Sequence, residues 1–164
     1  MPRVDETQPL VPSVLDRLLD DEPEVTRDPV RGRTQVLREL KQSLRRDLEH
    51  LLNARQSWLA WEPGLQELKQ SLLNYGLPDF TSANMASGEA REGFCRVLQT
   101  LLRQAEPRFK TVKVQLLTNV EPLDRTLRFR IDGLLRVDPA PEPIVFDSML
   151  EPTSGGFAIK GVGG

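Results

Sequence analysis

SGEAREGFCRVLQTLLRQAEPRFKTVKVQL, residues 87–116, changes its hydrophobic period midway. Up to Ala105 the apolar positions Phe94, Val97, Leu98, Leu101 and Leu102 recur at three- and four-residue steps, as on a helix with one buried face. Ser82 or Ser87 can cap its start. Pro107 disfavours helical geometry at Glu106, so the helix must stop near Ala105. From Thr111 the period becomes two: Val112, Val114 and Leu116 alternate with Thr111, Lys113 and Gln115, the pattern of a half-buried strand. The spacing predicts a helix over 88–105 running into a strand.

Downstream the period stays at two. Asn119 to Arg125 reads as a turn. Leu127, Phe129 and Ile131 alternate with Arg128, Arg130 and Asp132 in a second strand, and Gly133 marks a bulge or bend before Leu135 and Val137. DPAPEP, 138–143, reads as a stiff extended linker. Ile144 to Leu150 forms a third strand, expected to be more buried because its apolar pattern is more continuous. Phe157 to Lys160 forms a short fourth.

Upstream the period is helical. TQVLRELKQSLRRDLEHLLNAR, 34–55, carries Leu37, Leu40, Leu44, Leu48, Leu51 and Leu52 on one stripe, with Thr34 as the expected N-cap. Residues 64–74 repeat the pattern with Leu65, Leu68, Leu72 and Leu73, between Pro63 and Gly76. These leucines, like the stripe of Phe94, Val97 and Leu101, are expected mostly in the core, because 38% hydrophobic content leaves few to spare. Helices precede strands that follow at hairpin-like spacing. This order predicts an α+β fold: N-terminal helices, then a small, mostly antiparallel β-sheet of three to four strands. The expected organisation is an acidic arm over 1–30, one domain over 31–161 and a frayed tail over 162–164.

Charge is unevenly spread. Residues 1–30 hold eight acids against three arginines, a net of −5, and residues 31–61 seven bases against three acids, a net of +4. The arm contains PSVLDRLLDDEP, where Ser13 and Asp16 have capping-box spacing and Val14, Leu15, Leu18 and Leu19 form an apolar stripe ending before Pro23. A helix this short is marginal alone, so it folds onto its own core or into a partner's groove. Arg38, Lys41, Arg45 and Arg46 lie off the long helix's apolar stripe, as a solvated face or as a surface for an acidic partner.

Composition excludes several classes. A formal net charge of −2 disfavours a general nucleic-acid binder. The single cysteine, Cys95, rules out an internal disulfide and fits a reducing compartment. No apolar run approaches the roughly 18 residues that span a bilayer, and MPRVDETQPL has no apolar signal region, so cytosolic residence is expected. No phosphate loop, dinucleotide fingerprint or calcium loop is present. His50 sits within the long helix, so a catalytic triad would have to be built around a helical surface imidazole. No cofactor or metal is expected. The informative local feature is Glu106-Pro107-Arg108. In extended backbone Glu106 and Arg108 project to the same side, so they bond each other or reach one partner together.

Six stretches in order carry a resemblance: SVLDRLLDDEP, LRRDLEHLLNARQ, LLNYGLPDF, AEPRFKTVKV, LRFRIDGLL and VFDSMLEPTSG. They resemble the TssE family of type VI secretion baseplate subunits, within the phage baseplate-wedge family historically labelled "lysozyme-like". The resemblance runs from about residue 13 to about residue 160. It implies a non-enzymatic structural role in a cytoplasmic baseplate wedge, at the base of a membrane-docked secretion apparatus, where the protein helps start the contractile sheath. The partners implied are other wedge subunits and the sheath, with no nucleic acid and no direct membrane insertion. The family's EPR motif, implicated in holding the wedge core together, matches Glu106, Pro107 and Arg108. Further contacts are expected at Leu15 and Leu18, along Tyr75, Leu77, Pro78 and Asp79, and on the β part that faces the sheath. There Val145–Leu150 (with Val145 and Phe146) or Phe157–Lys160 (with Phe157) would offer an edge for strand addition. The alternatives are a baseplate subunit of a phage tail or another contractile particle, and a peptidoglycan-cleaving enzyme of the kind the old label suggests.

Overall fold

A computed structural model describes residues 14–18, 23–24, 32–57, 62, 64–65, 67–68, 71–79, 87–118, 126–137, 140–151 and 155–161. Three helices, α1 (Val14–Leu18), α2 (Arg33–Asn53) and α3 (Gly88–Ala105), precede four strands, β1 (Phe109–Leu117), β2 (Leu127–Leu135), β3 (Glu142–Glu151) and β4 (Gly156–Gly161). The strands form one antiparallel sheet in chain order, so the fold is the expected α+β. The expected turn at 119–125 and the tail at 162–164 lie outside the described residues.

Alternation decides which face is buried. Val112 and Val114 of β1, Phe129 and Ile131 of β2, Ile144, Phe146 and Leu150 of β3, and Phe157 and Ile159 of β4 all point to one side. α3 packs against β1 and α2 against β4. The helices supply Leu44, Leu48, Leu52, Phe94, Leu98 and Leu102 to the same core. Phe94, Phe129 and Phe157 join helix and sheet at its centre, with ring centroids 5.7–6.4 Å apart. Truncating any one of these rings would cost about 3–5 kcal/mol.

Gly133 shows why a strand carries a glycine. A Cβ there would lie 2.4 Å from the Phe109 ring, so the ring takes the space a side chain would fill. The β1–β2 register slips by one residue just beyond this point, between Phe109 and Thr111, which pair with Leu135 and Leu134.

Five expectations need correction. α2 begins at Arg33 with Gly32 as N-cap, so Thr34 lies inside the helix. The expected helix over 64–74 is, among the described residues, a set of short turns with a 3₁₀ turn at Leu72–Asn74. Its Leu65, Leu72 and Leu73 are exposed, as is Val97 of α3, so none of these is core. The linker reading of 138–143 fails at its end, because β3 starts at Glu142, which pairs with Arg33 at 3.3 Å. β3, expected to be the more buried strand, alternates buried residues with half-buried or exposed ones and is no more buried than β2.

Candidate functional site

The helix-to-strand junction is built as its proline requires. Glu106 N–H makes the last helical bond, to Leu102 O at 3.1 Å, and Glu106 then turns extended at φ −120° and ψ 92°. The Glu106 carboxylate accepts from Arg108 three times: from the backbone N–H at 3.1 Å, from Nε at 2.8 Å and from Nη2 at 2.6 Å. Glu106 is only 7% exposed, so this pairing also supplies its solvation.

The guanidinium does more than close a local turn. Its Nη2 also meets Asp47 Oδ2 at 2.6 Å, and its Nη1 approaches the buried Ser43 Oγ at 3.4 Å. Both partners lie on α2, more than sixty residues upstream. Arg46 donates to Asp47 Oδ1 at 3.2 Å from the solvent side. Two guanidinium groups and two carboxylates thus cancel within one cluster that ties α2 to the α3–β1 junction. The hydrogen bond to Glu106, foremost, and then Asp47 raise the proton affinity of Arg108 above that of an ordinary arginine, against partial burial. Pro107, between the paired residues, faces solvent.

Tyr75, Leu77, Pro78 and Asp79 lie on a loop fastened to the end of α2. Leu77 N–H donates to Ala54 O at 2.9 Å, and Gln56 N–H donates back to Leu77 O at 2.9 Å. Leu77 is fully buried, while Tyr75 and Asp79 are exposed. Gly76 adopts φ +100°, and a Cβ there would lie 2.6 Å from the Ala54 carbonyl, so the close approach needs glycine. Burial, first, and then the charges of Asp47 and Glu106 hold the Tyr75 phenol above its ordinary pKa. Tyr75 is therefore an electrostatic neighbour of the Arg108 cluster.

The remaining expected residues are dispersed. Leu15 and Leu18 are exposed on α1. Most of Val145–Leu150 is closed to an added strand: residues 146–150 of β3 pair with β4 on one side and with β2 on the other. Phe146 is buried in the core, and Val145 is half-buried opposite Asp132. Phe157 lies on the edge strand β4, but its outward N–H and C=O are already taken by the Asn53 side chain, at 2.9 Å each. That amide mimics a strand neighbour at this one position. On the opposite edge Gln99 Oε1 accepts from Val114 N–H at 3.3 Å. His50 is exposed on α2, and Cys95 is buried, with burial raising its thiol pKa.

Asp47, Ser43 and Asn53 escape sequence reading. For Asp47 a signal existed: it interrupts the apolar series Leu44, Leu48, Leu51 on a helix face that is otherwise buried. Ser43 and Asn53 carry no such mark.

No curated protein matches the chain. The family described as baseplate wedge protein gp25 matches residues 38–140, from the first turns of α2 through the Arg108 cluster and beyond the end of β2.

Proposed function

The chain belongs to the baseplate wedge protein gp25 family, and from that premise we propose that it is a structural subunit of a type VI secretion baseplate. In this reading it joins other wedge subunits in the cytoplasm, at the base of a membrane-docked apparatus, and helps start the contractile sheath. A baseplate role in a contractile machine comes with the family. The type VI assignment draws on the ordered resemblance of the LLDDEP and NYGLPD segments.

The carrying observation is that the family match spans the Arg108 cluster itself. That cluster favours a mechanical role over a chemical one. The Glu106 carboxylate is spent on three donors from Arg108, and Asp47 on two guanidinium groups. Carboxylates so engaged are braces, which supports reading "lysozyme-like" as a label alone. The motif would hold α2, α3 and β1 in one rigid frame, and a wedge contact would form on that frame. The exposed Leu15 and Leu18 would dock on a neighbouring subunit. The β4 edge beyond Phe157, at Ile159, would be where the sheath meets the sheet.

The test is co-purification with the other baseplate subunits, comparing wild type with the Glu106→Ala/Arg108→Ala variant after circular dichroism has shown both folded. Wild type is expected to co-purify and the variant to lose partners. Wild type purifying alone would remove the reading. A cell-wall turbidity assay is expected to show no clearing, and clearing that one acid substitution abolishes would replace it with an enzymatic one.

A further inference from the structure

We propose that the outer edge of β1, from Val112 to Leu116, takes an extended acidic segment of another wedge subunit as an added strand. The proposal rests on the wedge reading above. It names a second edge, opposite β4, and the partner chemistry that edge fits.

The backbone comes first. β1 is an end strand, bonded in the sheet to β2. In an antiparallel pair, successive residues turn their N–H and C=O alternately toward the neighbouring strand and away from it. Val114 N–H points away, because it reaches Gln99 Oε1 on α3. The unbroken register from Thr111 to Leu117 then places the backbone groups of Val112 and Leu116 on the same outward side. Among the described residues, no hydrogen bond from outside the sheet reaches Val112 or Leu116. Between them Lys113 and Gln115 are exposed. An extended segment meets such a row with its own N–H and C=O groups.

The two edges of the sheet are guarded unequally. On β4 the Asn53 amide holds both the N–H and the C=O of Phe157, at 2.9 Å each. On β1 the Gln99 amide gives one acceptor at 3.3 Å, a long bond that an incoming carbonyl replaces at little cost. Gln99 thus shields Val114 N–H until a partner strand takes its place.

Charge selects the partner. Lys110 and Lys113 are exposed on β1. Arg96 and Arg103, three residues before Gln99 and four after it, are exposed on the same side of α3. Among the described residues none of these four cations is in an ion pair. Glu92, one turn before Arg96, and Asp132, opposite Lys113 on β2, offset them only in part. The excess of positive charge favours an acidic segment. It also opposes a second copy of this chain, because β1 laid against β1 would bring the lysines of both edges together.

The test measures amide exchange and affinity in the complex with the baseplate subunits that co-purify with wild type. The Val112 and Leu116 amides are expected to exchange at least about tenfold more slowly in the complex than in the free protein. Gln99→Ala removes the competitor for Val114 N–H, so it is expected to bind about two- to tenfold more tightly. Lys110→Glu/Lys113→Glu, changed at exposed positions and checked for folding by circular dichroism, is expected to bind at least about threefold more weakly. Wild-type affinity should fall as salt rises from about 0.05 to about 0.5 M. Unchanged exchange at Val112 and Leu116 in a complex that forms would overturn the edge and leave the wedge reading standing. Slower exchange with Gln99→Ala binding no more tightly would mean that a surface covers the edge without pairing to it, and would overturn strand addition. Affinity that neither the lysine substitutions nor salt changes would overturn the acidic chemistry. Wild type binding no baseplate subunit would overturn this proposal and the wedge reading together.

Discussion

Arg108→Ala should destabilise the protein before it affects any partner. The substitution strips Glu106, whose side chain is 8% exposed, of two guanidinium bonds, and leaves Asp47 without its 2.6 Å contact. Removing one member of a fully buried pair costs about 3–5 kcal/mol. Here the Arg108 and Asp47 side chains keep 22% and 31% exposure, so water recovers part of the loss, and about 2–3 kcal/mol is expected. For a chain of this size that lowers Tm by roughly 4–12 °C. Urea unfolding followed by circular dichroism measures it. A double-mutant cycle with Asp47→Ala should return a coupling of about 0.5–2 kcal/mol between the two positions. A cost below about 0.5 kcal/mol, the range of an ordinary surface change, would refute the reasoning. It would mean that in solution the guanidinium turns outward and is held by something other than Glu106 and Asp47.

Gly76→Ala should cost about 1–3 kcal/mol in urea unfolding, since φ +100° and the Ala54 carbonyl 2.6 Å from the new Cβ both oppose it. Asn53→Ala should cost about 1–2 kcal/mol and speed exchange of the Phe157 amide, because the side chain carries both edge hydrogen bonds of that residue. Tyr75 should titrate by ultraviolet absorbance above the ordinary tyrosine value of about 10. The fold favours its protonated form, so this contribution is complete below about pH 10 and is lost as pH rises beyond it, with Tyr75→Phe removing the dependence.

The fold was largely legible because its period changes are clean. Alternation through Val112, Val114, Phe129 and Ile131 announced strands, and α3 runs over the expected 88–105 with Ser87 accepting from Ala90 N–H at 3.1 Å. The 64–74 stretch misled because its leucine spacing is helical, while its conformation is set from outside. Hydrogen bonds to Ala54, Gln56 and Ser57, partners distant in sequence, pin residues 73–77 to the end of α2 as an irregular loop. Periodicity does not register such fastening.

The site was half legible. Glu106 and Arg108 were found because proline fixes the backbone between them, and the ion pair is local. Asp47 was one acid among 24, and only the folded chain brings it to Arg108. Edge and interior strands were likewise indistinguishable, because pairing order depends on long-range contacts. The Val145–Leu150 edge failed for that reason.

The most direct test of the central claim is the mass of the assembly formed when this protein is mixed with the other baseplate subunits of its own system. A wedge subunit is expected to move entirely into one complex of fixed stoichiometry. A protein that stays at its own mass of 18.6 kDa across the whole concentration range would contradict the account.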